Sequence, residues 1–339
     1  MRSSFLIYGI VFLAFSCKME AQPAAYGMTV FGTDLLTSEQ VKFDYGAKLD
    51  ELIELYESNR DNYEEKKNQL EKELNNKKQF SYVNVKLFVS YRGTKDFIID
   101  IVEKKDANRR LNYREIITKK LNDPDGLLKK WEEYALLSKE LYDKGEIADM
   151  SCPVVHCTWG FNHIQLNPFL EFFNRYAPKN IDYLKELLVY GDNETYRSNA
   201  AFLLVHTNIE SQELVQILEP AIDDPSSLVR NNSMRLIYYA VRENNSLDIP
   251  IDKVIDVLDF PSFTDRNKAL VVLRSLPSSR FSKSQLDRII PILLEILDKK
   301  DAHNYKNAHT VLKNISSNDF EVDDIDSWKN WSFNFIQKN

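Results

Sequence analysis

Glycine is scarce in this chain: nine occur in 339 residues, beside eleven prolines. That scarcity excludes glycine-rich phosphate cradles, collagen-like segments and turn-dense β sandwiches. An excess of positive charge is also missing, because 44 Lys and Arg stand against 51 Asp and Glu, for a formal charge of −7. Acids and bases are interleaved, which speaks against nucleic acid as a partner. Cysteine is limited to three residues and histidine to five. No H-E-x-x-H, G-x-S-x-G or phosphate-binding loop occurs, so no motif marks an enzyme. Long hydrophobic runs are absent but for one. What is present is a 43% hydrophobic and 28% charged composition, enough for packed cores. At about 150 residues per domain the length suits two domains.

The single apolar run is Phe5–Phe15, preceded by Arg2 and followed by Ala14-Phe15-Ser16-Cys17-Lys18. It is shorter than the roughly 20 residues a bilayer span needs and has the length of a signal-peptide core. A small residue before a cysteine, directly after such a core, resembles the lipobox of bacterial lipoproteins. That resemblance implies cleavage after residue 16, lipidation of Cys17, and a protein exported to the envelope and held on a membrane by acyl chains. The alternatives are an ordinary secretory signal cut after Ala21 or Ala25, or a short buried helix.

From Asn167 onward apolar residues recur at helical spacing, as in Leu184, Leu187 and Leu188, in Leu214, Ile217 and Leu218, and in Ile289, Ile290, Leu293, Leu294 and Ile296. A small residue recurs with fixed companions. Ala200, Ser233, Ala269 and Ala308 are followed four positions on by Leu204, Ile237, Leu273 and Leu312. Arg197, Arg230 and Arg266 precede the first three by three positions, and Tyr305 takes that place in the fourth. The recurrence is about every 33 to 39 residues, the length of two helices with turns. Acidic residues at Asp192, Asp224-Pro225, Asp265 and Asp301 are placed to cap the helix starts.

Residues 165–320 resemble the HEAT repeat, with Asp224-Pro225-Ser226-Ser227-Leu228-Val229-Arg230 close to the entry of that repeat's second helix. The resemblance implies an α-solenoid over 165–339, a structural ladder of Arg197, Asp224, Arg230, Asp265 and Arg266, and a surface that binds other proteins. A non-repetitive helical bundle is the alternative. Trp328, Trp331, Phe333 and Phe335 are expected to cap the last repeat.

After a tether over residues 17–26, the first half reads as strand, helix, helix, strand, strand. Met28–Gly32 is a strand and Thr33–Val41 a helix start, with helices over 47–58 and 62–76. In Phe80–Tyr91, Val83, Val85, Leu87 and Val89 alternate toward a core; 92–95 is a turn and 97–103 the return strand. The Lys/Glu-rich helix over 62–78 reads as a solvated face. This β-α-α-β-β order over residues 27–105 is similar to the POTRA domain. That resemblance implies a small α+β unit able to receive partner strands at a sheet edge; the same order without a partner is the alternative. Residues 106–164 form a helical connector, in which Trp131, Tyr134, Leu137 and Leu141 line one face of a helix over 127–144.

One cluster carries chemical potential: Cys152, His156, Cys157 and His163, beside Trp159 and Phe161. A Cys152–Cys157 disulfide, a zinc site using all four residues, and a Cys–His nucleophile are the three readings. His206, His303 and His309 read as packing or surface residues. The expectation is an α+β domain followed by a HEAT-like solenoid in a non-enzymatic, lipid-anchored protein-binding scaffold, with a metal-dependent envelope enzyme or zinc-binding protein built on the Cys152–His163 cluster as the alternative.

Overall fold

The computed structural model describes residues 26–58, 61–78, 80–90, 93–147, 152–154, 160–301 and 303–338. The expected signal peptide, Cys17, His156, Cys157 and Trp159 lie outside the described residues.

The first unit contains β1 (Gly27–Phe31), α1 (Ser38–Glu57), α2 (Tyr63–Lys78), β2 (Tyr82–Val89) and β3 (Lys95–Val102). The sheet order is β1-β3-β2; β1 runs parallel to β3, and β2 pairs antiparallel with it in the register Val85↔Ile99. Helix α1 runs unbroken from Ser38 through Gly46, where a helix start and a separate helix were expected. Thr37 and Gln40 form a reciprocal capping box that nucleates it, offsetting the roughly 1 kcal/mol that a mid-helix glycine costs. Period-two alternation directs Val83, Val85 and Leu87 of β2, with Phe97, Ile99 and Ile101 of β3, into a core with Leu49, Leu52, Leu70 and Leu74 of the two helices.

The chain then forms α3 (Ala107–Arg110) and an extended strap over 112–123 before α4 (Leu127–Asp143), so the connector is helical over only part of its length. The strap satisfies its backbone against helix ends instead of within a helix. Arg114 N–H donates to Asp223 C=O at 2.8 Å, and Lys119 N–H to Tyr190 C=O at 2.6 Å.

Helices follow to the C-terminus. They are α5 (Asn167–Tyr176), α6 (Ile181–Tyr190), α7 (Glu194–Leu204), α8 (Ser211–Leu218), α9 (Ser227–Glu243) and α10 (Ile251–Asp259). Then come α11 (Phe263–Leu273), α12 (Lys283–Asp298), α13 (Tyr305–Ser316) and α14 (Ile325–Lys338). Neighbours in sequence pair as α6–α7, α8–α9, α10–α11 and α12–α13, while α7, α9, α11 and α13 pack successively on one another. Ala200, Ser233, Ala269 and Ala308 are fully buried, and their small side chains let these helices approach closely. Behind them α10 packs on α12, and α12 on α14. Trp328 is completely buried, edge-on to His309, Phe320 and Trp331, whereas Phe333 faces solvent. The chain is therefore an α+β unit followed by a helical region.

The second face of the sheet does not face water. Phe31 of β1 belongs to the core of the helical region, and Phe88 of β2 packs on Phe263 and His303.

Candidate functional site

The most developed polar constellation lies where the sheet meets α9, α11 and the turns before them. It begins with a recurring arginine in the first turn of α7, α9 and α11. Arg197 of α7 grips Asp224 with two bonds, Nε at 3.0 Å and Nη2 at 2.9 Å, and donates from Nη1 to Gly191 C=O in the turn before its own helix. Arg230 of α9 repeats this, with Nε and Nη2 on Asp265 Oδ2 at 2.9 and 2.6 Å and Nη1 on Asp224 C=O at 2.5 Å. The planar guanidinium suits this work because its fork reaches a carboxylate and a carbonyl at once.

The third rung departs from the pattern. Arg266 of α11 reaches Asp301 through Nε at 3.2 Å, but its Nη1 turns to Asp100 of β3 at 2.5 Å. Asp100 also accepts from Phe263 N–H at 3.1 Å, capping the start of α11. Arg266, Asp100 and Asp301 are all fully buried, and the guanidinium stacks 3.9 Å from the Phe31 ring centroid. Desolvation pulls the Arg266 guanidinium down, yet the carboxylates of Asp100 and Asp301 hold it above its ordinary value, so it stays charged. Burial pushes the Asp100 carboxyl up against the pull of Arg266. From α3, buried Arg110 donates to Asp259 C=O at 2.9 Å and to Ile101 C=O at 2.6 Å. Arg114 of the strap adds a second cation to Asp224 at 2.6 Å. The Arg230 guanidinium packs against the edge-to-face pair Tyr113 and Phe260, at 4.6 and 5.2 Å from their ring centroids.

All five ladder residues expected from the repeat, Arg197, Asp224, Arg230, Asp265 and Arg266, are thus brought together, with the acids of one helix entry facing the arginine of the helix before. The acids do not serve as N-caps. Asn193 and Ser262 cap α7 and α11; Asp192 is exposed, and Asp265 sits inside the first turn of α11. Asp224, Asp265 and Asp301 are committed to arginines instead, although Asp224 Oδ1 also accepts from Ser226 N–H at 2.9 Å. Asp100, Arg110 and Arg114 escaped the sequence reading. A lone carboxylate in the apolar strand Phe97-Ile-Ile-Asp-Ile-Val is the one signal that could have exposed Asp100, since a buried charge needs a partner.

The sheet edges are covered. Val85 N–H, on the outer edge of β2, donates to Glu71 Oε1 at 2.8 Å, and the phenol of Tyr63 meets the Leu87 backbone. Burial pushes the Glu71 carboxyl up and the Tyr63 phenol to about 12, so α2 is a covering element along this edge and not a uniformly solvated face. On β1, Met28 C=O accepts from the Ser38 hydroxyl at 3.3 Å.

A cleft of about 470 Å³ opens between the Gly32–Asp34 turn, α3 and α12. Its charges are mutually engaged. Glu295 accepts from Gly32 N–H at 2.9 Å, Lys299 bonds Asp34 at 2.8 Å, and Lys329 bonds Asp298 at 3.2 Å.

The cysteine–histidine segment is described only in part. Cys152 is disulfide-bonded, and a sulfur so oxidised is not a thiolate ligand. His163 accepts from Gln165 N–H through Nδ1 at 3.2 Å, with Nε2 3.8 Å from Glu146. Among the described residues no group of three His, Cys, Asp or Glu is placed to hold a metal. His206 is buried against Asn174 at 2.8 Å, and burial holds its imidazole down to about 4. Among the described residues no helix is long and apolar enough to cross a membrane. No family model, curated protein or solved structure matches the chain.

Proposed function

We propose that the protein is an exported, lipid-anchored scaffold of the bacterial envelope that binds other proteins through a HEAT-like solenoid spanning residues 165–339. Residues 27–105 are read as a POTRA-like unit. The observation that carries this reading is the run of buried rungs Arg197–Asp224, Arg230–Asp265 and Arg266–Asp301, repeated on successive inner helices. A ladder of this kind holds helix pairs in a constant register and leaves a long surface for docking. Side-chain bonds at Val85 and Met28 occupy part of each sheet edge, which favours the helices over strand addition as the docking surface. The anchor is supported by Phe5–Phe15 and the Ala14–Cys17 segment, in which two or more acyl chains on Cys17 suffice for stable attachment.

Two measurements on the full chain, made in a bacterial host that acylates lipoproteins, test the reading. Intact mass of membrane-extracted protein should show loss of residues 1–16 and acylation of Cys17, and Cys17→Ser should move the protein to the soluble fraction. Crosslinking in native membranes should capture discrete proteins on residues 165–339. An unacylated mature chain overturns the anchor, and crosslinks confined to residues 27–105 overturn the solenoid as the docking surface.

A further inference from the structure

The stacked inner helices present one stripe each on the side away from the outer helices. On α9 the stripe runs Asn231, Arg235, Tyr238 and Arg242; on α11, Asn267, Lys268, Val271 and Arg274; on α13, Lys306, Asn307, Thr310 and Lys313. All of these residues are half-buried or exposed. The equivalent stripe of α7 is covered within the chain, where Trp131 of α4 stacks on Phe202 and Phe173 of α5 packs on His206. Helix α4 packs less closely on α9, α11 and α13 than on α7, and the turn after α13 reaches that helix through Asp319 and Lys313.

The open stripes carry six cations and no carboxylate of their own, on a chain whose formal charge is −7; Arg242 is paired with the adjacent Glu243 and Lys313 with Asp319, so the positive strip centres on Arg235, Lys268, Arg274 and Lys306. Lys268 donates to Asn267 Oδ1 at 3.1 Å and Arg274 to Asn307 Oδ1 at 2.6 Å; among the described residues neither pairs with an acid. Burial first, and then the neighbouring Arg235, hold the Lys268 amine down to about 8. Two cations are thus held together at a half-buried position, an arrangement that an incoming anion relieves.

We propose that this face binds an extended acidic polypeptide segment with carboxylates at about every third residue. The inference rests on the solenoid reading and names the partner's chemistry. The spacing follows from geometry. Packed helices lie about 8–10 Å apart, and an extended chain advances about 3.3 Å per residue, so roughly three residues carry it from one stripe to the next. The stripe amides are engaged within the chain, Asn231 with Thr264 C=O at 3.3 Å and Asn307 with Arg274 at 2.6 Å, so recognition falls to the cations. A long polyanion such as nucleic acid would meet the field of the whole acidic chain, whereas a short segment needs only the local positive strip.

The test uses the full mature chain and a synthetic Glu-Ser-Ser repeat peptide. Its comparators are a peptide of identical composition with the glutamates clustered, and oligothymidylate of matched charge. The spaced peptide should bind, weaken with rising ionic strength, and lose roughly tenfold in affinity in Lys268→Glu or Arg274→Glu. Lys306→Glu, at an exposed position, serves if the half-buried reversals unfold, and Lys268→Gln should weaken binding less than reversal. No binding of the spaced peptide, equal affinity for the clustered peptide, tighter binding of oligothymidylate, or indifference to charge reversal would each overturn the proposal. The crosslinking result above is independent: partners captured on residues 165–339 while this peptide fails leave the scaffold reading intact and remove only the acidic occupant.

Discussion

Replacing Asp100 by alanine should separate the two units energetically without dismantling either core. The substitution removes the 2.5 Å bond to Arg266 and the acceptor for Phe263 N–H, both fully buried. Arg266 keeps Asp301 at 3.2 Å, so its charge is half compensated and cannot reach water. Breaking a buried pair by deleting one partner costs about 3–5 kcal/mol, and an orphaned buried amide accounts for about 1–3 kcal/mol of that class of loss. A total near 4 kcal/mol is expected for Asp100→Ala by urea denaturation. Asp100→Asn, which keeps an acceptor for Phe263, should lie between it and wild type. Hydrogen exchange should locate the effect, with amides of β1, β3 and the first turn of α11 losing protection together while α7 and α9 keep theirs. Asp34→Ala, which removes an exposed partner of Lys299, should leave stability unchanged. A loss below about 1 kcal/mol for Asp100→Ala, or loss of protection spread evenly over the helices, would refute the view that this carboxylate couples sheet to ladder.

Three further outcomes follow from the same geometry. Burial holds His206 near 4, below its ordinary value of about 6.5, so the unfolded chain takes up the proton first as pH falls; the contribution is complete above pH 6.5 and lost toward pH 4, roughly 3 kcal/mol in all, and His206→Gln should flatten the stability profile across that window. Trp328→Ala should cost about 3–5 kcal/mol in chemical denaturation, since the ring is wholly buried, while Phe333→Ser should change nothing measurable. Glu71→Ala uncovers Val85 N–H on the outer edge of β2, and light scattering should then show concentration-dependent self-association that wild type lacks.

Legibility in the sequence tracks the range over which each feature is encoded. Arg197, Arg230 and Arg266 were readable because each recurs three positions before a small residue, a local pattern imposed by close helix contacts. The succession of strands and helices in the first unit was readable for the same reason, since Val83, Val85 and Leu87 alternate within one strand; the sheet order β1-β3-β2 was not. Asp265 carried the right residue type but the wrong job: its spacing suited a cap, and only the position of Arg230 on α9, two helices back, commits it to an ion pair. Asp100 and Arg266 are 166 residues apart, and no local periodicity links them. Glu71 is indistinguishable in sequence from the solvated glutamates around it, because its role depends on α2 lying over β2. The strap over 112–123 has no period at all; its backbone is satisfied by carbonyls at helix ends that the sequence places elsewhere. The inner-helix cations were visible one by one, but their alignment into a strip needed the stacking.

The docking of Asp100 onto Arg266 also sets a schedule for biogenesis. Translation proceeds at about 5–20 residues per second, so Arg266 emerges roughly eight to thirty seconds after the carboxylate it will receive, given their separation of 166 residues. Through that interval Phe31, Phe88 and Asp100 form the uncovered back of a nascent sheet, two aromatic rings around a charge with no counterpart yet made. Closure of that surface has to await synthesis of α11 and of the turn before α13, which supply Arg266, Phe263 and His303.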